Sequence, residues 1–147
     1  MTSKSEVVQA LEVLLADSYT LYLKTHSYHW NVTGPMFTTL HTLFETQYTE
    51  LALAVDEIAE RIRTLGAVAP GSYSQFQALA TVQEDTGVPK ATAMIENLVA
   101  DCGKIVAAAK QVIEAATAVG DDASVDLGVR RTEIHQKNAW MLRSHLE

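Results

Sequence analysis

A chain of 147 residues with 48% hydrophobic content, seven glycines and three prolines carries enough apolar material for one domain with a sizeable core, and its composition is not that of a disordered chain. Its formal net charge of −7 repels phosphate backbones and attracts cations. The single Cys102 excludes an internal disulfide and suits a reducing compartment, and no apolar run is long enough to span a bilayer.

In chain order, Met1 to Glu6 shows no basic stretch followed by an apolar run, so no secretory leader is expected and the cytoplasm is the expected location. Ser3 to Glu6 reads as a capping box, with Ser3 as N-cap. Val8, Leu11, Leu15, Tyr22 and His29 then recur at helical spacing to about Trp30. Asn31 to Pro35 breaks that helix, and Pro35 suits the first position of the next. The second helix is predicted from about Pro35 to Leu65, with an apolar stripe of Phe37, Leu40, Phe44, Tyr48, Leu51, Val55, Ile58, Ile62 and Leu65, and Gly66 as its stop. Ala69 to Ser72 is a turn, and Gln75 to Ala80 a short helix within the connection. A third long helix is predicted from Pro89 to Val119, ended by Gly120. A fourth starts at Asp122 to Ser124 and runs to about His145, with Asp121, Asp122 and Asp126 complementing the dipole at its start. Arg130, Arg131, Lys137 and Arg143 are spread around that helix and read as a solvated face. With no strand-like alternation or internal repeat, the chain reads as an all-α four-helix bundle with a short extra helix between the second and third long ones, a single domain over 1–147.

The chemistry concentrates in the first two helices. His29, His41, Asp56 and Glu60 are all metal-capable. His41, Glu45, Asp56 and Glu60 lie near one another on a helical wheel, at about 0, 40, 60 and 100 degrees. Yet His41 and Asp56 are 15 positions apart, roughly 22 Å along the axis, and metal bonds to nitrogen or oxygen are about 2 Å long. One straight helix cannot grip one ion with both. An antiparallel two-fold copy, its axis near Thr49, would set His41 of one chain against Asp56 and Glu60 of the other and give two equal sites. Asp56 and Glu60 are i,i+4 neighbours that reach a common ion; the plainer alternative pairs Glu60 with Arg61 or Arg63. Mixed imidazole and carboxylate ligands suit iron, zinc or manganese better than calcium. No histidine has Glu three residues before it, which argues against an intrachain di-iron centre built on Glu-x-x-His. His26 and His29 are i,i+3 and form a weaker chelating pair. Trp30 and Trp140 read as packing residues, although Trp30 adjoins His29 and would intercept a stray radical if iron were oxidised there. Cys102, among Ala, Val and Ile, reads as an inert core thiol. Motifs for a serine hydrolase, a dinucleotide site or a P-loop are missing.

The run His29-Trp30-Asn31-Val32-x-Gly34-x-x-Phe37-x-x-x-His41-x-x-Phe44-Glu45, followed by Asp56-x-x-Ala59-Glu60-Arg61, resembles the Dps family of miniferritins, and Leu65-Gly66, Asp126-Leu127 and Trp140-Met141 extend the likeness over most of the chain. The resemblance implies a hollow shell of twelve identical four-helix subunits with ferroxidase centres at two-fold interfaces. His29 and His41 match the ligands from one subunit, and Asp56 and Glu60 those from its partner. It further implies oxidation of Fe(II), by hydrogen peroxide or dioxygen, with ferric mineral stored inside as protection against oxidative stress; zinc or manganese in the same site is the alternative. Asp122 and Asp126, and more loosely Asp121, match acidic residues lining three-fold pores. Two features depart from the pattern. Many members carry Asp where this chain has Glu45, which leaves its role as a direct ligand open. Some members bind DNA through a Lys-rich tail, which this chain lacks, so DNA binding is expected to be weak or absent. The rival expectation is a DNA-binding, nucleoid-protecting shell.

Overall fold

The computed structural model describes residues 2–147, with side chains from residue 6 onward. Its helices are α1 (Thr2–Asn31), α2 (Phe37–Thr64), α3 (Tyr73–Leu79), α4 (Ala91–Ala118) and α5 (Asp122–Arg143), followed by a 3-10 turn, Ser144–Leu146. No strand occurs among the described residues. α1 packs on α2 and α4, α4 packs on α5, and the short α3 lies against α1. This is the expected bundle of four long helices with one short helix in the connection. The side chain of Ser3, and with it the expected capping box, lies outside the described residues.

The helix ends follow from glycine and side-chain chemistry. α2 and α4 each stop at a glycine with positive φ, Gly66 at 92° and Gly120 at 71°, and the next amide reaches back to close the last turn (Ala67 N to Ile62 O at 3.2 Å, Asp121 N to Ala116 O at 2.9 Å). The start of α2 differs from the sequence expectation. Pro35 precedes the helix in a turn in which the Phe37 amide donates to the Gly34 carbonyl at 3.0 Å. Gly34, at φ 101°, lets the chain reverse, and the fixed φ of proline serves the turn's second position rather than a first helical one. Ser72 caps α3 by accepting from the Gln75 amide at 3.3 Å.

Fully buried Leu11, Leu14, Leu40, Phe44, Ile58, Met94, Ile95 and Ile105 form the core, each contributing about 1.5–3 kcal/mol relative to exposure. On α2 the inward row is Leu40, Phe44, Gln47, Leu51, Ala54, Ile58 and Ile62. Phe37 is exposed, and Tyr48 and Val55 are only half-buried. The expected stripe was therefore too wide, and its outer members stand at the margin of the bundle. Gly128 permits close approach of α5 to α4, since a Cβ there would stand 2.7 Å from Ile113 and 3.0 Å from the Ala109 carbonyl. Cys102 is the expected core thiol: burial, then the charge of Asp101, pushes its pKa up to about 12, which keeps it unreactive.

Polar ties fix the connection between α2 and α4. The Asp17 carboxylate accepts from the Thr81 amide (2.6 Å), the Thr81 hydroxyl (2.7 Å) and the Val82 amide (2.9 Å). Lys24 pairs with Asp101 at 2.8 Å and donates to the Gln83 carbonyl. Arg131 does not belong to a solvated face: it is 2% exposed and donates to both Glu50 oxygens and to His135 Nε2. Trp30 and Trp140, expected as packing residues, are 58% and 60% exposed on the single chain.

Candidate metal centre

The last turn of α1 presents His29 and the first turns of α2 present His41, joined by the Gly34–Pro35 reversal. Each imidazole is held by the other residue's backbone. His29 Nδ1 donates to the His41 carbonyl at 2.6 Å, and His41 Nδ1 donates to the His29 carbonyl at 2.7 Å. A carbonyl can only accept, so both rings carry their proton on Nδ1 and leave Nε2 as the free donor atom toward a metal. The rings stack at 3.7 Å between centroids and 15° between planes. His29 is 7% exposed.

Glu45, four residues along α2 from His41, completes a local set. One ligand atom from each of His29, His41 and Glu45 lies within 4.8 Å of the others, and Glu45 Oε1 is 4.0 Å from His29 Nε2. Two ligands on one ion with bonds of about 2 Å stand closer together than that. The Glu45 side chain is 58% exposed, so a rotamer change rather than a backbone shift closes the set. This arrangement can bind a cation that accepts two nitrogens and a carboxylate, with further positions open. Around it lie His26, Tyr48 and Phe37: His26 stacks on Tyr48 at 4.2 Å, and Phe37 on His41 at 5.1 Å.

Asp56 and Glu60 are exposed on α2 and do not join the histidines within one chain. They line a groove of about 540 Å³ with Leu53, Glu57, Asp126 and Arg130. Neither has an ion pair among the described residues. The plainer reading of Glu60 fails on geometry, because Arg61 turns to Asp121 at 2.7 Å and Arg63 donates to the Ala67 carbonyl.

The three aspartates near the start of α5 separate into two kinds. Asp121 is the N-cap: it accepts from the Ser124 amide (3.1 Å), the Ser124 hydroxyl (2.7 Å) and the Arg61 guanidinium. Burial works against its charge, but the Ser124 and Arg61 hydrogen bonds outweigh it and hold Asp121 below the usual carboxylate range. Asp122 and Asp126 are exposed, and Asp126 pairs with Arg130, which also reaches Glu57. Sequence reasoning missed the reciprocal backbone bonds of His29 and His41 and the place of Tyr48 beside them. The family resemblance paired His29 with His41 as ligands of one subunit, and the Gly34–Pro35 turn between them is the local signal that lets residues twelve apart meet.

The ferritin-like domain family matches residues 8–147. A Bacillus anthracis protein named "DNA protection during starvation protein 2" is 35% identical over 141 residues, 96% of this chain and 97% of that one. The crystal structure of a Dps protein from Bacillus brevis superposes with a TM-score of 0.96 at 32% identity, over 100% of this chain and 99% of the other. A Dps protein from Vibrio cholerae, described as a member of a broad superfamily of ferritin-like diiron-carboxylate proteins, gives 0.94 at 33% identity, over 99% and 92%.

Proposed function

Because the chain belongs to the Dps family of ferritin-like proteins, we propose that it is a ferroxidase and iron-storage protein that oxidises Fe(II) between two subunits and keeps the ferric product inside a twelve-subunit shell in the cytoplasm. The carrying observation is the stacked His29–His41 pair, each Nδ1 fixed on a carbonyl and each Nε2 left free. The carboxylates that would complete it, Asp56 and Glu60, have no ion pair among the described residues and lie too far along the same helix to serve their own histidines. An antiparallel second copy, with its axis near Thr49, supplies them across the seam. His29, His41, Asp56 and Glu60 then hold the iron, and Glu45 swings in as a further ligand.

Imidazole nitrogens and carboxylates together favour Fe(II) while stabilising the harder ferric product. Two ferrous ions and one hydrogen peroxide, with two protons, give two ferric ions and two waters; dioxygen is the alternative oxidant. Exposed Asp122 and Asp126, on the acidic start of α5, draw cations toward the shell. Asp121 has a smaller part there, because its carboxylate caps α5. Ferrous salt added anaerobically, followed by peroxide, is expected to raise ferric absorbance much faster than in buffer, and zinc added first is expected to slow it by taking the site. A rate equal to that of buffer would end this reading.

The Bacillus anthracis relative is named for DNA protection, and the second reading of this chain is protection of DNA by direct binding. The charge of −7 opposes it. No gel shift of duplex DNA is expected at about 150 mM salt, where surface attraction is already screened beyond about 8 Å; a stable shift there would favour the DNA-binding reading.

A further inference from the structure

We infer that Tyr48 begins a one-electron relay running from the His29–His41 pair through Tyr22 and Tyr19 to Tyr73. The inference takes its oxidant from the ferroxidase reading. Its geometry does not depend on that reading. Tyr48 stands edge-on to His29, with ring centroids 5.2 Å apart and planes at 73°. Tyr22 follows at 5.9 Å from Tyr48, Tyr19 at 5.8 Å from Tyr22, and Tyr73 at 6.3 Å from Tyr19. A branch leads from Tyr48 through His26 at 4.2 Å to Trp30, a further 4.0 Å on. These are contact distances between rings. Electron tunnelling falls steeply with separation, so each step is fast compared with a jump across the width of a helix. Tyrosine and tryptophan are also the ring side chains that give up an electron most readily.

The relay answers a stoichiometric problem at the site. Reducing hydrogen peroxide to two waters takes two electrons and two protons. One ferrous ion supplies one electron, and peroxide that receives only one splits into hydroxide and hydroxyl radical. With a single iron bound, the Tyr48 phenol supplies the second electron and one proton. Fe(II), Tyr48–OH, H2O2 and one proton from water become Fe(III), the Tyr48 phenoxyl radical and two waters. Tyr22 then passes an electron and a proton to that radical, restoring the Tyr48 phenol, and Tyr19 and Tyr73 repeat the exchange. The oxidising equivalent ends on Tyr73, which is 73% exposed on the single chain, away from the ligand histidines. Tyr48 suits the first position for two reasons. It is half-buried beside His29, and its hydroxyl has no hydrogen-bond partner among the described residues, so Tyr48→Phe removes the phenol without breaking a contact.

The assembled protein, loaded anaerobically with less than one Fe(II) per subunit, is mixed with peroxide and frozen for electron paramagnetic resonance. A tyrosyl signal is expected, narrowing when the tyrosines are ring-deuterated. In Tyr48→Phe that signal is expected to vanish while spin-trapped hydroxyl radical rises. Iron oxidation without a tyrosyl signal, or a signal equal in both proteins, overturns the proposal. A second arm needs no iron: azidyl radicals oxidise Trp30 in the metal-free shell, and optical detection follows transfer of the radical to tyrosine. Trp30→Phe identifies the donor, and Tyr48→Phe is expected to abolish the transfer. If the wild-type protein oxidises no iron at all, the ferroxidase reading fails. The relay is then judged by this arm alone, upheld by a transfer that depends on Tyr48 and overturned by one that does not.

Discussion

Joint refolding of His41→Ala and Asp56→Ala subunits in equal amounts is expected to restore about one quarter of the wild-type ferroxidase sites, although each variant alone is nearly inactive. The expectation follows from the proposed division of ligands between chains. Within one chain the structure gathers His29, His41 and Glu45 and leaves Asp56 and Glu60 on a separate groove. If each site takes its histidines from one subunit and its carboxylates from the other, a homogeneous His41→Ala shell has every site broken, and so does Asp56→Ala. Loss of one direct ligand costs at least about tenfold, since even outer-shell partners of metal ligands cost that much. In a mixed pair one site carries both lesions and the other carries neither. Half of randomly formed pairs are mixed, and each offers one sound site of two. The control is a mixture of His41→Ala with His29→Ala. Both remove the same half, so that mixture stays inactive. Stopped-flow ferric absorbance on shells of verified particle mass reads the result. Restoration in the control, or none in the test mixture, would mean the ligands are not divided this way.

The spacing argument behind that experiment shows what a sequence exposes. His41 and Asp56 are too far apart on one helix to share an ion, and that follows from helical rise alone. Helix ends at Gly66 and Gly120 were equally readable, because a positive φ at a helix stop demands glycine. Pro35 misled because two local rules compete for it, first helical position and second turn position, and Gly34 beside it tips the choice to the turn. The mutual fixing of His29 and His41 was beyond reach. It depends on the backbone of one residue meeting the ring of another across a reversal, which residue types do not encode. Arg131 was misread for a related reason: its spacing on α5 looks like a solvated face, and the partner that permits its burial, Glu50, lies 81 residues earlier. Tyr48 was counted in the apolar stripe, whereas the inward row of α2 turns toward Gln47, and that small rotation brings the phenol beside His29.

Glu50→Ala is expected to destabilise the protein by about 3 kcal/mol, the cost of leaving a buried charge without its partner. The Arg131 side chain is 2% exposed while Glu50 is 36% exposed, so the arginine loses its counter-charge in a place water reaches poorly. His135 offers no substitute. Its Nε2 already accepts from Arg131 at 2.8 Å, and burial, then the Arg131 charge, lowers its pKa to about 3, so it stays neutral. Replacing both partners, Arg131→Met with Glu50→Met, removes the charge together with its need for a partner and is expected to cost much less than Glu50→Ala alone. Urea unfolding of the assembled variants measures the difference. A cost below about 1 kcal/mol for Glu50→Ala would class the pair with ordinary surface ion pairs and discount the role given to burial. The same cluster sets an acid limit. Unfolded His135 takes up a proton below its ordinary pKa of about 6.5, while the folded residue resists until about pH 3. Stability attributable to this residue is therefore intact above about pH 6.5 and falls as pH drops toward 3, at up to about 1.4 kcal/mol per pH unit. The stability curve of His135→Gln should be flatter in that window, and an unchanged slope would show that other groups carry the acid response.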